Sequence, residues 1–142
     1  MYSALSIAQY IIDYCSNTNK IISNLKLQKV LYFVQAEFLV DTGHPCFYED
    51  IEAWDFGPVV PEVYFKFRIY GSATIPPIKP VHFKISDADR IRINSIVSAC
   101  SEYTASQLVE ITHNQTPWRK AYKKGRNSII SNDSIQKYFT EG

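Results

Sequence analysis

The spacing of apolar residues along the chain predicts a fold made mostly of helices. Ser6 and Gln9 stand at capping-box spacing, and Ile7, Ile11, Tyr14 and Cys15 then recur at helical intervals. This predicts a first helix of about three turns, ended by the polar run from Ser16 to Lys20. A second helix opens near Ser23 and closes at Gly43, a natural C-cap, and it is the longest element. On it Leu27, Val30, Leu31, Val34 and Phe38 form one apolar face, and Tyr32, Ala36, Leu39 and Val40 a second. Only a narrow polar stripe through Lys26, Lys29 and Glu37 is left. A helix that is apolar on two sides belongs at the centre of its fold.

Beyond Gly43 the pattern changes. Residues Phe47 to Asp55 mix Ile51, Ala53 and Trp54 with acidic positions in rough alternation, a short half-buried strand that Gly57 and Pro58 should stop. Pro61 suits a first helical residue, and Val60, Val63, Tyr64 and Phe67 keep helical spacing until Gly71. Three prolines between Ile75 and Pro80 exclude a helix there, and Val81 to Ile85 alternates like a second strand, antiparallel to Glu49–Trp54. Ser86 with Asp89 opens a helix carrying Ile93, Ile96, Val97, Cys100 and Tyr103, and Thr104 with Gln107 opens another through Leu108 and Ile111. Thr116 then precedes Pro117, the order of an N-cap and a first helical residue, with Trp118, Ala121 and Tyr122 on one side and Gly125 as the stop. A last helix from about Asn132 carries Ile135, Tyr138 and Phe139. The sum is six or seven helices against two short strands, with no repeat and no dividing linker. We therefore expect a mainly α, single-domain helical bundle over residues 1–142, built around a long central helix with a two-stranded antiparallel β piece.

Composition sharpens this picture in three places. Ten Tyr and eight Phe raise the aromatic share to 14%, which suits both a tight core and a recognition surface. Fifteen basic against fourteen acidic residues give a net charge of +1, so no overall field draws in nucleic acid or an anionic membrane, and neither is expected as a partner. The first twenty residues hold no signal-peptide core and no stretch approaches the roughly 18 apolar residues of a membrane span, so a cytoplasmic protein is expected. Cys15, Cys46 and Cys100 are odd in number and far apart, which predicts reduced, mostly buried thiols rather than disulfides or a zinc site.

Candidate chemistry is sparse. Asp41, His44, Cys46, Glu49, Asp50, Glu52 and Asp55 crowd one segment, but without the paired spacing of a zinc site, so a solvated turn and strand edge are expected and no metal. His44 and Cys46 lack an orienting third group and an oxyanion donor. No glycine-rich phosphate loop, GxSxG, HExxH or paired cysteine motif occurs, so no enzyme and no cofactor are expected. Arg119, Lys120, Lys123, Lys124 and Arg126 cluster beside Trp118 and Tyr122. That cluster can be read as a phosphate grip with a stacking ring, or as cations complementing a helix C-terminus.

The two most distinctive strings run from Glu52 to Tyr64 (EAWDFGPVVPEVY) and from His113 to Ala121 (HNQTPWRKA). Each sets a Trp beside a rigid, Pro-containing turn that leads into a helix, which either anchors the turn on the core or preorganises a binding surface. Together with Lys26 to Ala36 (KLQKVLYFVQA), they resemble the Panacea antitoxin domain family, also described as phage-associated GepA-like or SocA-like proteins. The match runs from Leu25 to Ala121, with Val30 where the family more often has Leu. The resemblance implies an antitoxin of a toxin-antitoxin system that neutralises its cognate toxin, encoded by a neighbouring gene, through direct protein binding. The alternatives are an adaptor delivering the toxin to a cellular protease and a nucleic-acid-binding phage-related protein. The partner-binding candidates are Lys26, Lys29, Tyr32, Trp54, Gly57, Pro58, Tyr64, His113, Pro117, Trp118 and Arg119. The expected surface surrounds Trp54, Tyr64 and Trp118 and is edged by Lys26, Lys29 and the basic segment.

Overall fold

A computed structural model describes residues 1–77 and 84–141. Its helices are α1 (Ala4–Asn17), α2 (Asn24–Thr42), α3 (Pro61–Phe67), α4 (Asp87–Cys100), α5 (Ala105–His113), α6 (Thr116–Ala121) and α7 (Asn132–Glu141). Its strands are β1 (Ile51–Trp54), β2 (Gly57–Val59) and β3 (Ser128–Ile130). The mainly helical architecture follows the apolar periodicity. None of the described helices is long and apolar enough to cross a membrane.

Most helix ends lie where their capping residues put them. Ser23 Oγ accepts from the Lys26 amide and Gly43, at φ 75°, closes α2. Ser86 caps α4, and Thr104 with Gln107 forms a complete capping box on α5. Two starts differ from expectation. Ser3, not Ser6, caps α1, its Oγ accepting from the Ser6 amide. On α6 the cap is Gln115, and Thr116 already lies within the helix.

α2 is the central rod, touching α1, α3, α4, α5, α7 and β2. Leu27, Val30, Leu31, Tyr32, Val34, Ala36, Phe38 and Leu39 are all buried in one continuous core with the inner faces of α1 and α4. Each large aliphatic side chain so enclosed stabilises the fold by about 2 kcal/mol.

The β piece has three strands in the order β2-β1-β3, all antiparallel, and not two. Gly57 and Pro58, expected to stop β1, instead begin β2, which folds back after the two-residue turn Asp55–Phe56 so that Trp54 faces Gly57. Gly57 supplies the positive φ, 104°, that this tight return requires. The other flank is β3, whose Ile130 faces Ile51. The expected strand at Val81–Ile85 lies largely outside the described residues, and the partners of β1 are these two others.

Candidate functional site

The irregular segment after α2 is held in place by polar side chains of α2 itself. Asn24 Nδ2 donates to the Tyr64 carbonyl at 3.1 Å, and Gln28 Oε1 accepts from the Val60 amide at 2.9 Å. Lys29 Nζ donates to the Pro58 carbonyl at 3.0 Å. Gln35 Oε1 accepts from both the Cys46 and Phe47 amides, while its Nε2 donates to the Phe47 carbonyl. All four side chains are buried. Enclosed backbone groups must find partners, and here one helix supplies them to a stretch that forms little regular structure.

Lys29 is therefore not part of an exposed stripe. It is fully enclosed, and burial pulls its ammonium down to about 7. Tyr32 is equally enclosed, its hydroxyl donating to Gln115 Oε1 at 2.7 Å, which fixes the start of α6 on α2.

Above this framework the two tryptophan strings meet. Trp118 Nε1 donates to the Trp54 carbonyl at 2.8 Å. His113 stacks on Trp118 at a centroid distance of 4.0 Å, and Tyr122 does so at 4.5 Å. His113 Nε2 lies 3.0 Å from the Asp55 carbonyl, which can only accept, so Nε2 carries the proton. The Tyr122 hydroxyl donates to Asp55 Oδ1 at 2.6 Å. The hairpin turn is thus gripped from one side by three aromatic residues of the α5–α6 corner.

On its other side Trp54 meets Tyr64 edge to face at 5.0 Å and Phe65 at 6.0 Å, and its Nε1 donates to Glu52 Oε1. Phe56 at the turn tip is 67% exposed and Phe65 is 53% exposed, whereas Trp54 and Tyr64 are half-buried. An open cleft of about 490 Å³ lies beside them, with Leu25, Gln28, Trp54, Phe56, Tyr64 and Arg126 on its walls.

The sequence candidates fall into three groups. Lys29, Tyr32, Gly57, Pro58 and Pro117 are buried and build the frame. Trp54, Tyr64, His113 and Trp118 form the corner, with Arg119 exposed beside it. Lys26 turns away, its Nζ donating to the Tyr103 carbonyl between α4 and α5. The expected rim of Lys26 and Lys29 is thus not formed, because one lysine is enclosed and the other faces elsewhere. Phe56 and Phe65 were not among the candidates. Phe65 could have been found, since it falls off the buried stripe of Val63 and Phe67. Cys15, Cys46 and Cys100 are free and buried, and burial raises each thiol above its usual range. His44 is exposed while Cys46 is enclosed.

This is a mainly helical fold that carries a small aromatic-rich hairpin on its central helix. A family model described as Antitoxin SocA-like, Panacea domain, matches residues 27–119, and the chain belongs to that family. It is similar to Antitoxin SocA of Caulobacter vibrioides (strain NA1000 / CB15N), with 35% identity over 127 aligned residues that cover 81% of this chain and 68% of that protein. No solved structure matches the chain.

Proposed function

We propose that this chain is a single-domain cytoplasmic antitoxin that neutralises a cognate toxin by direct binding, and that it is a binding protein rather than an enzyme. The observation that carries the reading is the aromatic face at the hairpin, with Phe56 and Phe65 exposed and Trp54 and Tyr64 half-buried, on a turn whose backbone is locked by α2 and by Trp118. Large rings held in place lose little entropy on binding, which favours a firm complex. The family membership and the likeness to Antitoxin SocA support a toxin as the partner. A stable contact buries about 1,600 Å² in total, so the aromatic face would be its centre and the surrounding helices its rim.

Co-expression with the product of the adjacent gene tests the reading. Growth should be restored by the wild-type chain and lost with Phe56→Asp and Phe65→Asp, while circular dichroism shows both variants folded. A neighbouring product that is harmless alone, or full protection by both variants, would contradict it. Following the toxin's level during rescue separates masking, where it stays constant, from delivery to a protease, where it falls.

A further inference from the structure

The charge of the molecule is unevenly placed. Five of its fifteen basic residues stand between positions 119 and 126, where there is no Asp or Glu, leaving ten basic against fourteen acidic residues elsewhere. Arg119, Lys120, Lys123, Lys124 and Arg126 are all exposed. Among the described residues none of them takes part in an ion pair; the pairs present join Arg90 and Arg92 to Asp41, Asp87 and Asp89. Three of the five sit on one tight turn. The Arg126 amide donates to the Lys123 carbonyl at 3.0 Å and Gly125 takes the left-handed position at φ 76°, so Lys123, Lys124 and Arg126 are carried on a fixed backbone. Gly125, Arg126 and Asn127 also line the cleft, together with Trp54, Asp55, Phe56 and Tyr64, and Lys123 and Lys124 adjoin it on the same turn.

We propose that this cleft receives an acidic segment of the partner, with an aromatic or large aliphatic side chain against Trp54, Phe56 and Tyr64 and its carboxylates against Lys123, Lys124 and Arg126. This rests on the toxin-binding reading and names the chemistry of the segment bound. The apolar wall supplies burial and the turn supplies complementary charge, which raises the association rate and rejects basic competitors. A nucleic acid fits the site less well. Base stacking needs free ring faces, but His113 and Tyr122 already cover Trp118, and Trp54 and Phe65 each meet Tyr64 edge to face, which leaves Phe56 as the exposed ring at the turn tip.

The test uses fluorescein-labelled peptides of twelve residues and the full chain. One peptide carries a central Phe-Leu-Trp flanked by Glu, the second the same core flanked by Lys, the third a core of Ala flanked by Glu; a twelve-nucleotide single strand of DNA is the fourth probe. Binding is read by anisotropy at several salt concentrations. The acidic aromatic peptide should bind most tightly, weaken as salt rises, and lose about tenfold in affinity against a chain carrying Lys123→Glu, Lys124→Glu and Arg126→Glu together. Replacing the same three residues by Gln should give an intermediate loss, and thermal unfolding should show both variants intact. The proposal is overturned if no peptide binds, if the Lys-flanked peptide or the DNA binds as tightly, or if charge reversal leaves affinity unchanged. The charge-reversed chain is also assayed against the adjacent gene product. If wild type protects and the reversed chain protects equally, the acidic-segment inference falls and the antitoxin reading stands. If wild type gives no protection, the antitoxin reading itself falls.

Discussion

Gly57 packs against Lys29 with no room for a β-carbon between them: one added at Gly57 would lie 2.6 Å from Lys29 Cε and 2.9 Å from Thr112 Oγ1. Backbone strain adds to the crowding, since φ at Gly57 is 104°. We expect Gly57→Ala to destabilise the fold by about 3 kcal/mol in urea titrations. Gly43→Ala, strained in φ but facing open space, should cost about 1 kcal/mol. Equal costs at the two positions would show that the Lys29 contact is not tight.

Lys29 also makes stability depend on pH. Its ammonium is held at about 7 in the folded chain, against 10.5 for an ordinary lysine, so between these values the unfolded chain binds more protons than the folded one. The Lys29 contribution to stability therefore rises with pH across that window and is least favourable below it. Unfolding free energies of wild type and Lys29→Met measured at several pH values should show a wild-type advantage that grows from neutral to alkaline pH. Burial raises the pKa of Tyr10 and Tyr32, which weakens stability at alkaline pH in both chains and cancels in the difference. A flat difference would contradict the enclosure of the ammonium.

Tyr32→Phe removes only the hydroxyl that bonds Gln115. The amide oxygen of Gln115 then lacks that partner in a buried place, and a loss of about 1 to 2 kcal/mol is expected by chemical denaturation. A neutral substitution would mean that solvent reaches this contact.

Trp118→Phe keeps an aromatic ring but removes the Nε1 donor to the Trp54 carbonyl. Stability should fall by about 2 kcal/mol, combining the lost bond and the smaller ring. Phe56→Ser, at an exposed tip, should change stability by no more than about 0.5 kcal/mol while weakening toxin binding by more than about 1 kcal/mol. Titration calorimetry alongside thermal unfolding separates the two effects. The reverse pattern, with Phe56→Ser unstable and still binding, would place the contact surface elsewhere.

The three thiols should be silent in the native protein. Burial raises Cys100 to about 11 and shifts Cys15 and Cys46 in the same direction, so at pH 8 all three are protonated as well as enclosed. A chromogenic disulfide reagent should find no thiol at pH 8 in native protein and three after denaturation. A fast-reacting thiol in the native state would contradict the packing of α1, α2 and α4.

Much of the fold was legible because its signals are local. Ser23 and Gly43 bracket α2 as their capping chemistry requires, and Thr104 with Gln107 marks α5. The missed elements depend on distant partners. β3 is three residues long, too short for alternation to register, and exists because Ile51 and Ala53 offer their backbone to it. Gly57 and Pro58 read as breakers, and became a strand because α2 supplies hydrogen bonds to residues that form few of their own. Lys29 read as exposed because its charge carries no sequence trace of the pocket that encloses it. At the site, the tryptophan strings were visible as motifs. Their joining through Trp118 and Trp54, 64 positions apart, was not, nor was the exposed pair Phe56 and Phe65.

The outer edge of β2 offers nothing for another strand to pair with. Pro58 has no amide hydrogen, Lys29 occupies its carbonyl, and Gln28 occupies the Val60 amide. The sheet therefore cannot lengthen on that side by recruiting a second chain, which protects a hairpin with exposed aromatic rings from fibrous self-association. The same closure means that a ligand arriving there must be recognised through side chains instead of by backbone zippering, so its sequence is read and not merely its extended shape.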